Sequence, residues 1–231
     1  AVAIILSLFI FAIFSFLRIY TASVLPRSGR TTIVFENLPL KILTFDREGK
    51  VVFLKMPENL LAGSLQEFLG APVDGWLGEE TNLNIWDRLR VWWKIKSTKS
   101  NMVQTIDLSK SLTADPAKLD LELAGVFKDL EIVSEHLTIE VLNGSGKPEM
   151  ANRAGRLITN LGATVIILGN SEKESGQCEI KAGEKVLKSF TGQRLKKIFN
   201  CREVLLKSGE SRADLQMVIG LDYWQKSHLQ P

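Results

Sequence analysis

Residues 137–169 read LTIEVLNGSGKPEMANRAGRLITNLGATVIILG, and the fold turns on them. Leu137–Leu142 alternates apolar with polar side chains over most of its length, which predicts a strand with one buried face. Asn143-Gly144-Ser145-Gly146-Lys147 is a tight turn. Pro148 opens a helix with Met150, Ala151, Ala154, Leu157, Ile158 and Leu161 on one face, and Gly162 closes it. Ala163–Leu168 is a second strand. Strand, helix and strand at this spacing make a β-α-β unit.

The pattern continues toward the C-terminus. Cys178–Ala182 reads as a short strand and Thr191–Phe199 as a helix, with Gly192 arguing against a start earlier than Ser189. Val204–Leu206 is a minor strand, and Leu215–Gly220 closes the domain. The order β-α-β-β-α-β predicts a two-layer domain with helices on one face of a sheet. Upstream, Thr32–Glu36, Leu40–Phe45 and Val51–Lys55 are strands. The last two flank the hairpin signal Asp46-Arg47-Glu48-Gly49-Lys50, and Pro57 ends the ladder. Ser64–Leu69 is a short helix stopped by Gly70, Asn82–Ile95 a stronger helix, and Val103–Leu108 a strand. Asp115-Pro116 starts a helix with Leu119, Leu123, Val126, Phe127 and Leu130 on one face.

The class is therefore α/β: a transmembrane anchor (1–20), a linker (21–31), an upstream α/β domain (32–134), the C-terminal two-layer domain (135–226) and a tail (227–231). The anchor rests on residues 1–17, AVAIILSLFIFAIFSFL, which are apolar except for Ser7 and Ser15. At about 1.5 Å per residue they reach roughly 25 Å, the short end of a bilayer span. A cleaved signal peptide is the competing reading, but Thr21-Ala22-Ser23 is a poor cleavage site. Arg18, Arg27 and Arg30 after the span pull toward the cytoplasm under the positive-inside rule. With 231 residues, 45% hydrophobic, 24% charged and a net charge of +3, the chain is neither disordered nor of low complexity.

Residues 137–224 resemble the LytR C-terminal domain, a small α/β module of LytR-CpsA-Psr envelope proteins that also occurs alone behind membrane anchors. The likeness is carried by Val141-Leu142-Asn143-Gly144-Ser145-Gly146-Lys147-Pro148, by Ala151-Asn152-Arg153-Ala154, and by Val218-Ile219-Gly220-Leu221-Asp222-Tyr223. More weakly, Leu43 to Pro57 and Leu69-Gly70-Ala71-Pro72-Val73-Asp74 resemble the LytR-CpsA-Psr catalytic domain. That family holds a polyprenyl pyrophosphate and magnesium with arginines and aspartates. Here Glu58-Asn59 stands where the family has Arg-Asp, and the later arginine-rich region is absent. A carboxylate at 58 would repel a diphosphate and removes a bidentate donor.

Several groups are candidates for chemistry. The turn Asn143, Gly144, Ser145, Gly146 and Lys147 lies between strand and helix, where backbone N–H groups can hold an anion. The dinucleotide and P-loop patterns both fail on it, and Glu149 would face the ligand, so a structural turn is the stronger reading. Cys178 and Cys201, 23 residues apart, can be a redox pair, a metal pair, free thiols or a bridge. The spacing excludes CxxC, and His136 and His228 are remote in sequence, which leaves no zinc set. The helix between the cysteines runs back along the first strand and favours a bridge worth roughly 3 kcal/mol in chain entropy, which implies an oxidising compartment. Trp86, Trp92 and Trp93 with Arg88, Arg90 and Lys94 can lie on anionic lipid or stack on sugars, but the spacing fits a core helix with the tryptophans inward. Lys188, Arg194, Lys196 and Lys197 can contact an anionic wall polymer or simply form a solvated face.

The expectation is a non-catalytic binding or scaffolding protein of the bacterial cell envelope. It is membrane-anchored with its domains outside, and it needs no cofactor or metal. The partners expected are the membrane through the N-terminal helix, and peptidoglycan, an anionic wall polymer or an envelope protein, with no nucleic acid. The alternatives are a phosphotransferase for polyprenyl-linked glycopolymer and, least favoured, a nucleic-acid-binding regulator. Residues 137–231 carry 14 lysines and arginines against 10 acids, too small an excess for an electrostatic nucleic-acid footprint.

Overall fold

The computed structural model describes residues 11, 13–15, 17–18, 20–26, 29–36, 40–46, 48–56, 65–78, 81–108, 116–206 and 211–229. Two compact units emerge, Ala1–Glu58 with Val73–Asp107, and Asn59–Pro72 with Leu108–Pro231. Arg47, Pro57, Glu58, Asn59, Ser64, Asp115 and the first ten residues, each given a part above, lie outside the described residues.

The first unit is built on a five-stranded mixed sheet, in the order β4-β1-β2-β3-β5. Its strands are β1 (Thr31–Phe35), β2 (Lys41–Phe45), β3 (Val51–Lys55), β4 (Gly75–Leu77) and β5 (Val103–Asp107). β1, β2 and β3 form an antiparallel meander, whose β2–β3 hairpin is the one that the signal at 46–50 predicts. β4 adds parallel to β1, and β5 adds parallel to β3. The Asp46 carboxylate accepts the Lys50 N–H at 3.0 Å, and Gly49 takes a left-handed φ of 96° in that hairpin. One face of the sheet presents Ile33, Leu43, Phe45 and Val51, which pack with Leu25, Leu83 and Val91. Leu83 and Val91 bring in helix α2 (Ile85–Ser97). Described residues between 11 and 21 are also helical. Among the described residues no helix is long and apolar enough to cross a membrane.

The second unit holds the other five-stranded sheet, in the order β7-β6-β10-β8-β9. Its strands are β6 (Thr138–Asn143), β7 (Thr164–Asn170), β8 (Glu179–Ala182), β9 (Arg202–Leu205) and β10 (Leu215–Ile219). β6 is parallel to both neighbours, while β8 runs antiparallel to β10. The alternation seen in sequence sets the faces. Ile139, Val141, Ile180, Leu215 and Met217 turn into the core, while Gln216 on the outer face donates to Glu140 at 2.8 Å. Helices α5 (Met150–Asn160) and α7 (Phe190–Phe199) cover the inner face with Ala154, Leu157, Ile158, Leu195 and Phe199. Each large apolar side chain buried there stabilises the fold by about 1.5–3 kcal/mol.

Several details depart from the sequence reading. The strand at Val204–Leu206 is a full edge strand, β9, displaced to Arg202–Leu205 and parallel to β8. The helix after Asp115 is α3 (Pro116–Glu122) and stops early, because Gly125 turns the chain at φ 81°. Leu119, Leu123, Val126 and Phe127 still bury, but Leu130 is half exposed. Helices α1 (Leu65–Leu69), α4 (Leu130–Glu135), α6 (Glu184–Leu187) and α8 (Leu221–Leu229) complete the unit, the last three without a sequence expectation. α8 runs through 227–229, which were expected to form a tail.

Candidate functional site

A concavity lies beside α2 in the first unit. It encloses about 550 Å³ and is walled by Trp86, Leu89, Trp93, Lys94, Phe45 and Asp46, among others. Its position follows from how α2 is held. Asn84 caps the helix by accepting the Asp87 N–H at 2.9 Å. The Asp87 carboxylate is fully buried and turns back to accept from the Ser23 hydroxyl and, at 3.0 Å, from the Val24 N–H. Arg90 donates to the Pro26 carbonyl at 2.9 Å. Residues 22–26, read as linker, are thus strapped to the helix, with Leu25 in the core.

This strapping inverts α2 relative to the sequence expectation. Asp87 and Val91 are its buried residues, whereas Trp92 and Trp93 are 53% and 69% exposed, with Ile85 and Leu89 also outside. Trp92 and Trp93 do not face the core, whereas Trp86 is partly buried against Tyr20. Apolar spacing of 3.6 marks a stripe without saying which stripe is buried. Here a carboxylate with two donors waiting at Ser23 and Val24 decides it. Among the described residues the cleft wall carries one guanidinium, that of Arg90, already directed at a carbonyl, and one ammonium, that of Lys94. Asp46 is paired with buried Arg30 at 2.8 Å. The wall therefore suits an apolar or aromatic-stacking ligand better than a phosphate.

In the second unit, the turn 143–147 is tied into the fold. Gly144 donates to the Ile219 carbonyl at 2.9 Å, Ser145 N–H to the Asn143 side chain at 3.1 Å, and Lys147 N–H to the Ser145 hydroxyl at 3.1 Å. A Cβ on Gly144 would come within 2.8 Å of Val218, and Gly146 takes φ 68°. Those amides are engaged internally, and the Glu174 carboxylate lies beside Gly146. Lys147 places its ammonium 4.9 Å over the Trp224 ring. Gly220 approaches the backbone at Gln177 so closely that a Cβ would sit 2.3 Å from the Gln177 carbonyl carbon. Asp222 then accepts the Cys178 N–H at 3.0 Å. The loop 171–177 thus joins the two ends of the module, with Ser175 donating to Gly144 at 2.6 Å and accepting from Leu221 at 3.0 Å.

Cys178 and Cys201 are bridged. Their Cα atoms are 4.4 Å apart and both residues are buried. They stand opposite one another just ahead of β8 and β9, where Arg202 donates to the Cys178 carbonyl at 2.9 Å. Residues 136–223 match the family of the LytR cell envelope-related transcriptional attenuator. The bridge, the NGSG turn and the closing Gly220-Leu221-Asp222-Tyr223 all lie within the matched stretch. No curated protein matches the chain. A solved structure that resembles it is the soluble domain of a conserved hypothetical secreted protein (Rv2700 ortholog) from Mycobacterium marinum. That protein is 20% identical over 44% of this chain and 68% of its own, with a TM-score of 0.29.

Of the basic residues between 188 and 197, two are paired with carboxylates and a third is buried. Lys188 pairs with Glu184 at 2.5 Å, Lys196 pairs with Glu203 at 2.8 Å, and Arg194 is buried. Among the described residues no cluster of histidine, cysteine and carboxylates could hold a metal. One polar residue escaped the sequence reading. Glu135, ending α4, accepts the Phe190 and Thr191 N–H groups at 2.9 Å each and so caps α7. Burial opposes its charge, but the hydrogen bonds from Thr191 and Phe190 outweigh burial and hold its pKa below the ordinary value.

Proposed function

We propose that this chain is a membrane-anchored extracytoplasmic protein of the bacterial cell envelope, with the LytR C-terminal module as its non-catalytic binding or scaffolding part. The observation that carries the reading is the buried Cys178–Cys201 bridge inside a module whose family is described as cell envelope-related. A structural disulfide persists in an oxidising compartment. The apolar run 1–17 supplies the tether. Its partners are peptidoglycan, an anionic wall polymer or an envelope protein, met by the folded surface of the module. A glycopolymer phosphotransferase is the weaker reading, because Glu58-Asn59 stands where that family has Arg-Asp and a carboxylate repels a diphosphate.

The test is protease added to osmotically stabilised cells carrying an epitope at the C-terminus. Loss of the epitope, together with no free thiol in the denatured, unreduced protein, is the expected result. An epitope protected until the cells are lysed, with two titratable thiols, would place the domains inside and overturn the proposal. Polyprenyl phosphate copurifying with the chain would favour the phosphotransferase instead.

A further inference from the structure

We infer that the exposed face of α2 is a membrane-interface surface that lies on anionic lipid beside the point where the apolar segment ends. The inference rests on the anchored reading above and adds a second contact with the bilayer.

Three observations converge. The first is apolar exposure. Ile85, Leu89, Trp92 and Trp93 follow one another at helical spacing on the outward side of α2, each at least half exposed. Two adjacent tryptophans in water are costly, and tryptophan is the side chain that prefers the headgroup level of a bilayer. The second is charge. The one acid in 85–97, Asp87, is buried, so the charges that α2 shows are Arg88, Lys94 and Lys96. Lys96 stands 4.9 Å over the Trp92 ring, an ammonium carried on the apolar face itself. A helix with tryptophan and leucine on its face and cations around it has the pattern of an interfacial amphipathic helix.

The third is position. The helical stretch of described residues ends at Thr21, whose hydroxyl donates to the Leu17 carbonyl at 2.9 Å. Tyr20 meets Trp86 edge to face with 5.9 Å between ring centres, and Ser23 and Val24 already bind Asp87. The start of α2 is thereby fixed next to the end of the apolar segment, with no slack between them. An anchor that crosses the bilayer holds α2 at the level of the headgroups.

The experiment reconstitutes the full chain into vesicles of phosphatidylcholine with phosphatidylglycerol, with and without brominated acyl chains, and reads tryptophan emission after flotation. The chain has five tryptophans, so the contribution of the α2 pair is taken from Trp92→Phe with Trp93→Phe. The expected result is bromine quenching that falls by more than half in the double variant. It should fall also in Lys94→Glu with Lys96→Glu, and at high salt in the unsubstituted chain. Both pairs are surface positions, and circular dichroism of each variant checks that the fold is retained. A chain that does not float with the vesicles overturns the anchored reading and this inference with it. A chain that floats, but whose quenching is the same with and without Trp92 and Trp93, overturns the inference alone. A shift of emission by soluble wall glycan without lipid quenching assigns the face to sugar stacking and also overturns it.

Discussion

At the scale of single residues, the second unit depends on a few polar side chains that finish what the apolar pattern starts. Glu135 is the clearest. Its two oxygens satisfy the first N–H groups of α7, which would otherwise be left without partners at a helix end. Glu135→Gln keeps the shape and loses the charge, so at neutral pH it should cost about 1 kcal/mol, the scale of an N-terminal cap. The pH dependence has a definite sign. The folded pKa is depressed below the ordinary 4.5, so the carboxylate's contribution is complete above about that pH and vanishes as pH falls through the lower folded value. Urea midpoints of the two proteins should therefore differ at pH 7 and draw together as pH falls below 4.5. A constant gap across that range would show that Glu135 acts through packing rather than charge. Sequence could not reveal this contact, because Glu135 and Thr191 are 56 residues apart. The bridge was more legible, since the helix ahead of Cys201 runs back along the strand at Cys178 and brings the two ends together.

At the scale of elements, sequence periodicity located most strands and helices and failed on orientation. The strands β1, β2, β3 and β6 lie within a residue of their expected positions, because alternation and turn chemistry are local. α2 was located but placed the wrong way round, since Ser23, Val24 and Pro26, which fix its rotation, lie more than 60 residues upstream. α1 shows a second kind of contact hidden from local pattern. Within the second unit, Arg156 of α5 makes paired hydrogen bonds to Asp120 at 2.7 and 2.6 Å, and it also donates to the carbonyls of Glu67 at 2.7 Å and Phe68 at 3.1 Å. One guanidinium thus ties α1 and α3 to α5, and Asn160 adds a bond to the Gly70 carbonyl at 3.1 Å. Arg156→Ala should destabilise this unit by about 2 kcal/mol, the cost of losing charge-assisted bonds at a partly buried site. Arg156→Lys should recover little of it, because an ammonium cannot span a carboxylate and two carbonyls in one plane. Hydrogen exchange should show the effect first in α1 and α3. Equal loss of protection in the strands of the first unit would contradict that assignment.

At the scale of the whole molecule, family resemblance and physical unit do not coincide. The match begins at residue 136, yet the unit that contains it also takes in Asn59–Pro72 and the stretch from Leu108 onward. The added segments bring buried Leu65, Leu69, Leu119, Leu123, Phe127 and Ile132. Motif reading stops at the edge of the motif, whereas burial follows whatever apolar surface the core leaves open. Tyr223, in the closing Asp-Tyr of the module, reports the difference. Burial pushes its phenol up to about 12, a hydrogen bond with Gln66 opposes the shift, Glu67 adds to it and Arg153 opposes it. A phenol raised in the folded state contributes stability below its unfolded value near 10, and that stability is lost as pH rises toward 12. A fragment of residues 137–231 contains Tyr223 as its only tyrosine and lacks Gln66 and Glu67. Its phenol should titrate below the full-chain value by ultraviolet absorbance, because the cover over its hydroxyl end is gone, and its melting temperature should lie below that of the second unit in the full chain. A fragment whose tyrosine still titrates near 12, and which melts with the full chain, would show that the module closes its own core and that residues 59–72 are a passive covering.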